Sequence, residues 1–206
     1  LVNPAGQPER MQLVVRGYND GFAFCYKIPD GKGPCVNVQS ELTAYNFAGD
    51  YTAWFYNGEN HNIGPEKLTE TDGTRLPVMT VKAGDKHYMA IHEACLETGA
   101  PLVLQSKGGE SLFSVASKPT SLSPGYTSAW RVVLYGTTPG VLTDSHLLEL
   151  LNPDPDSRYD FSWVKPGLAV WDWRINGAVW DGFTYGMSYP SWVRMVDFAA
   201  EQGFKY

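Results

Sequence analysis

The 206 residues are enough for one large or two small domains with a real core. Charged residues make up 18% and hydrophobic ones 43%, a globular balance with nothing to suggest a long disordered region. The formal net charge of -6, with no basic cluster, speaks against nucleic-acid binding, because no excess of Lys and Arg is there to neutralise phosphates. No apolar run reaches the length of a membrane span, and Leu1 to Arg10 lack the charged start and apolar core of a signal peptide. Cys25, Cys35 and Cys95 allow at most one disulfide and leave the redox compartment open. Seven Trp and twelve Tyr suit a carbohydrate-handling protein, although many secreted β-rich domains are equally aromatic.

In chain order, Met11 to Arg16 and Gly21 to Ile28 read as two strands joined through Gly17 to Gly21, with Asp20-Gly21 suited to a tight hairpin. Phe22, Phe24 and Tyr26 share one face of the second. Val36 to Glu41 and Thr43 to Phe47 are further strand candidates. In Tyr51 to Tyr56, the residues Tyr51, Ala53 and Phe55 alternate with Thr52, Trp54 and Tyr56. Asn57 to Gly64 is polar and turn-like and carries His61. Leu76 to Val81 and Tyr88 to Leu96 make a hairpin about the Ala83-Gly84-Asp85 turn. Leu102 to Gln105, Ser111 to Ala116 and Ala129 to Tyr135 follow as strands, and Val141 to Leu151 fits either a strand or a short helix. Strands at this spacing, with Gly and Pro punctuation, predict a sandwich or barrel-like sheet pair.

Asn152 to Asp160 is a Pro- and Asp-rich linker. After it the texture changes. Pro166-Gly167 breaks the chain, and Leu168-Ala169-Val170 has the composition of a short strand buried on both faces, ending in Trp171, Asp172, Trp173 and Arg174. Ile175 to Tyr189 reads as a long loop. Ser191 is placed to cap a helix with the apolar stripe Trp192, Met195, Val196, Ala199 and Ala200, and Gly203 to terminate it. Strand, loop, helix and incipient strand make one βα unit, which cannot bury its own sheet, so the expectation is the opening of a parallel barrel whose remainder lies elsewhere. Both ends of the chain look cut.

Two stretches can carry chemistry. Period 2 puts Tyr88, Ala90 and His92 on one face of their strand and Met89, Ile91 and Glu93 on the other, so Glu93 continues an apolar face. Either the strand runs out into solvent there, or Glu93 meets a cation, with calcium the sharper possibility because hard cations take carboxylate oxygens. Trp171, Asp172 and Trp173 either cover the end of a core or line a sugar subsite. No phosphate loop, Cys-x-x-Cys, His-x-x-x-His or G-x-S-x-G pattern is present, and Glu41, Trp54 and Arg131 read as structural.

SWVKPGLAVWDWR (Ser162 to Arg174) resembles the linker-to-barrel signature of glycoside hydrolase family 97, a group of α-glucosidases and α-galactosidases. The stretches TSAWRVVLYGTTPGVLTDSHLLELLNP, YNDGFAFCYKIP and AGDKHYMAIHEACL are similar to that family's late N-domain strands, early hairpin and calcium-glutamate strand, in order. The resemblance implies a mainly β fold: a β-super-sandwich domain over 1–151, a linker over 152–160, and over 161–206 the first βα unit of a truncated (β/α)8 barrel. It further implies an oligosaccharide substrate, calcium in the complete enzyme with Glu93 as a ligand, Trp171, Asp172 and Trp173 beside the substrate, and a periplasmic or secreted location. Arg174 and Glu97-Thr98-Gly99 depart from the family's pattern. The carboxylates for acid, base or nucleophile work would lie beyond Tyr206, so the 206 residues alone are expected to be inactive. The competing reading from the residues is a non-catalytic carbohydrate-binding β-sandwich module, its tryptophans a stacking platform.

Overall fold

The computed structural model describes residues 11–58 and 62–206, and the chain divides into two units, Leu1–Asp154 and Pro155–Tyr206. His61 lies outside the described residues. The structure is mainly β, as the alternation predicts.

In the first unit, β1 (Gln12–Tyr18) and β2 (Gly21–Lys27) pair antiparallel from Gln12↔Lys27 to Tyr18↔Gly21. Asn19-Asp20 alone make the turn, tighter than the connection expected. Gly21 has φ +155°, and a Cβ there would collide with the Val133 carbonyl oxygen, so the hairpin end needs glycine. The aromatic face of β2 is its less buried side; Ala23 and Cys25 face the core.

The chain continues through β3 (Val36–Val38), β4 (Ala44–Asn46), β5 (Thr52–Tyr56), β6 (Asn62–Lys67), a 3₁₀ turn at Leu68–Glu70, β7 (Asp72–Lys82) and β8 (Tyr88–Ala94). Then come β9 (Leu104–Lys107), β10 (Leu112–Val115), β11 (Thr120–Leu122) and β12 (Trp130–Gly136). Residues 141–151, open between strand and helix, are helical: α1 (Pro139–Asp144) and α2 (Leu147–Leu150), the second packing Leu147 onto the sheet.

The expected pair of sheets is one curled ten-stranded sheet in the order β1-β2-β12-β8-β7-β9-β10-β4, with β5 and β6 branching from β7, and a separate β3–β11 ribbon. β7 belongs to both parts: Asp72–Arg75 pair with β9, and Met79–Lys82 pair with β8. Both parts contribute to one core of Phe55, Met79, Val81, Ile91, Leu104 and Phe113. A second core, of Ala23, Cys25, Trp130, Val132, Leu134 and Leu147, lies on the other side. β8 alternates between them, Ile91 entering the first and Ala90 and Ala94 the second, which is the face division that period 2 predicts. The three cysteines are free.

In the second unit, α3 (Asp172–Ile175) and the β13 (Val179–Trp180)–β14 (Phe183–Thr184) hairpin precede α4 (Tyr189–Glu201). Three expectations are corrected here. Trp171 to Arg174 do not end a strand; Trp171 is extended and Asp172 starts a helical turn. Leu168 is 66% exposed and not buried on both faces, because burial of such a strand needs neighbours on two edges and helices over two faces. The helix cap is Ser188 rather than Ser191, since Pro190 fits the first turn, where its missing N–H costs nothing.

Two features match expectation. Gly203 has φ +71°, Phe204 N–H donates to Ala199 O and Gly203 N–H to Ala200 O, which is a Schellman stop. Tyr206 N–H donates to Leu168 O while Val170 N–H donates to Tyr206 O at 2.9 Å, the bonding pattern of parallel neighbours. The chain after α4 thus returns alongside Leu168 to Val170 in the same direction.

Candidate functional site

Glu93 sits one residue before the end of β8, directly opposite Arg131 of β12. Its side chain is only 8% exposed, so the strand does not run out into solvent at this point. The cation it meets within this chain is Arg131, whose Nη1 lies 3.6 Å from Glu93 Oε2. Leu102 N–H donates to the same oxygen at 2.5 Å, bringing the loop after β8 back onto the carboxylate. Burial pushes the Glu93 carboxyl above its usual range, against the opposing pull of the Leu102 amide and Arg131.

Arg131 is itself 3% exposed and is gripped by a third residue. Its Nε donates to Glu41 Oε1 at 3.0 Å and its Nη2 to Glu41 Oε2 at 2.7 Å, a bidentate pair. Glu41 lies in the loop between β3 and β4, where its own N–H donates to Ser117 Oγ at 2.8 Å. Burial opposes the Arg131 charge, but the hydrogen bonds and charge of Glu41 outweigh it and raise its pKa. Among the described residues Arg131 Nη1 has no hydrogen-bond partner, and neither does the buried hydroxyl of Tyr45. Burial also pushes the Tyr45 hydroxyl far up, only partly offset by Arg131.

With both carboxylates ionised, the two and the one guanidinium leave this group with one net negative charge. A carboxylate beside that surplus suits a hard cation, which takes about six to eight oxygens. Among the described residues no cluster of three or more His, Cys, Asp or Glu side chains forms, so Glu93 offers a cation a single carboxylate and not a whole site. His92 faces away on the second side, its Nδ1 buried without a partner among the described residues and its pKa lowered by burial.

In the second unit, Trp171 and Trp173 are 54% and 62% exposed. Arg174 stacks on the Trp171 ring at 5.0 Å, and Asp172 Oδ2 accepts a hydrogen bond from Trp192 Nε1 at 2.9 Å, tying α3 to α4. One of the two Asp172 oxygens is therefore already engaged. The structure places Asp172 and Trp173 on one helical turn with Trp171 extended just before it; Glu93 belongs to the other unit.

Glu41 and Arg131, which the sequence reads as structural, are the partners of Glu93 that it does not link to the site. A signal was present: Arg131 interrupts an otherwise apolar β-prone run, just as Glu93 interrupts an apolar face, and two such interruptions of opposite charge are candidates to pair.

The chain is 28% identical over 237 aligned positions to a retaining alpha-galactosidase of Bacteroides thetaiotaomicron, covering 94% of this chain and 35% of that protein. It is 29% identical over 217 positions to a probable retaining alpha-galactosidase of Streptomyces bingchenggensis, covering 96% and 30%. A glycoside hydrolase family 97 enzyme from Pseudoalteromonas sp. strain K8, solved with acarbose and, as an E480Q variant, with panose, superposes with TM-score 0.75 at 26% identity, over 95% of this chain and 32% of that one. The model of the glycosyl-hydrolase 97 N-terminal region matches residues 2–153, and the chain belongs to glycoside hydrolase family 97. It spans about a third of the length of the relatives it matches. Among the described residues no helix is long and apolar enough to cross a membrane.

Proposed function

We propose that this chain forms the N-terminal sheet domain, the linker and the first barrel βα unit of an α-glycosidase that cleaves α-galactosidic or α-glucosidic bonds of oligosaccharides outside the cytoplasm. The observation that carries the reading is Glu93, a carboxylate buried at a strand end, clamped by the Leu102 amide and left with a net negative surplus. Such a group is costly to the fold, and a cation recruited to it repays that cost. The parallel return of Tyr206 beside Leu168 to Val170 supports the barrel assignment.

Hydrolysis in this reading is acid–base chemistry: a protonated carboxylic acid donates to the glycosidic oxygen while a second carboxylate attacks the anomeric carbon or activates water. Both carboxylates belong to the protein beyond Tyr206. When bound, calcium supplies fixed positive charge beside the sugar. Glu93 would be one of the residues that hold it. Trp171 and Trp173 offer apolar faces to a sugar ring, and Asp172, with Oδ2 held by Trp192, keeps Oδ1 for a hydroxyl.

The exposed tryptophans also fit the competing reading, a non-catalytic carbohydrate-binding module. Assays of the full-length protein on p-nitrophenyl α-galactoside and α-glucoside separate the two. Turnover that falls on calcium chelation, and by roughly 100-fold in Glu93→Gln, is expected. Sugar binding with no turnover on either substrate would replace the enzyme reading with the binding module.

A further inference from the structure

We infer that Glu41, Arg131 and Glu93 form a charge balance that sets how strongly Glu93 holds a cation. The inference rests on the reading of Glu93 as a calcium ligand and assigns a positioning role to two residues outside the ligand set.

Arg131 has five N–H donors, and the two that form a fork are committed to Glu41 at 3.0 and 2.7 Å. What remains for Glu93 is Nη1, which makes no hydrogen bond among the described residues and stands 3.6 Å away. Arg131 is therefore tilted toward Glu41. Its charge is largely spent there, and Glu93 receives the weaker share of it. The anchoring of Glu41 by Ser117 Oγ fixes that division. Without Glu41, the guanidinium would be free to close on Glu93 with a full fork and compete with any cation. Without Arg131, both carboxylates would stand uncompensated, and the fold would lose stability while the attraction for a cation grew.

The balance predicts effects of opposite sign from its two members. Calorimetric titration of the full-length protein with calcium alone should show Glu41→Gln binding roughly tenfold more weakly and Arg131→Met binding several-fold more tightly than wild type. Melting without calcium should show Arg131→Met the less stable protein, with a larger calcium-induced rise than wild type. Weaker binding in both variants is what a merely structural role gives, and it would overturn the inference; so would unchanged affinity in both. Either variant alone carries the sign test if the other does not fold. Glu93→Gln, titrated alongside, tests the underlying reading separately: unchanged calcium affinity there removes Glu93 from the ligand set, whereas lost affinity there with no effect of Glu41→Gln refutes only the charge balance.

Discussion

Arg131 and Glu41, 90 residues apart in sequence, form a bidentate ion pair of 3.0 and 2.7 Å, with side chains 3% and 17% exposed. The pair joins the centre of the sheet to the loop between β3 and β4. It also explains why a guanidinium is tolerated in a strand whose neighbours Trp130 and Val132 are core residues.

Removing one partner of a buried pair leaves a charge without compensation, a loss of about 3–5 kcal/mol. Arg131→Met should therefore destabilise the chain by that amount in urea unfolding followed by tryptophan fluorescence with calcium chelated. A loss below about 1 kcal/mol would show that Arg131 is in practice solvated.

Phe113 is fully buried, 5.5 Å from the Phe55 ring and 6.4 Å from Phe47. Phe113→Ala should cost about 3–5 kcal/mol. On β5, Trp54 points to the exposed side, and Trp54→Ala should cost far less than Phe113→Ala in the same unfolding experiment. Equal losses would contradict the assignment of faces.

Gly21 and Gly17 flank the first turn with opposite demands. A Cβ at Gly21 meets the Val133 carbonyl oxygen at φ +155°, whereas one at Gly17 meets nothing within 4 Å. Gly21→Ala should lower stability by more than about 1 kcal/mol, and Gly17→Ala should leave it unchanged or slightly raised. Thermal melting of the two variants checks the contrast, and a tolerant Gly21 would contradict the close packing of the hairpin end on β12.

Much of the sheet was legible because its strands alternate. Ala53 and Phe55 enter the core where period 2 places them, and Ile91 and Ala90 separate to opposite cores as β8 predicts. β6 was missed because Gly64-Pro65 interrupts it, which an edge strand paired on one side tolerates. The polar first half of β7 was missed too, since its pairing with β9 is a tertiary choice and carries no local pattern. For the site, Glu93 was visible as an anomaly on an apolar face. Its partners were not, because the register Arg131↔Glu93 and the reach of Glu41 depend on which strands lie side by side. The turn at Trp171 to Arg174 was misread because a short apolar run before it favours a strand, while the Asp172–Trp192 bond that fixes it comes from 20 residues away.

The most direct test of the account compares hydrolysis of p-nitrophenyl α-galactoside and α-glucoside by the 206-residue chain and by the full-length protein that contains it, at equal concentration with saturating calcium. The account predicts turnover by the full-length protein and only background release by the chain alone, because the proposed reading assigns no acid or base to these 206 residues. Hydrolysis by the chain alone at a comparable rate would contradict it.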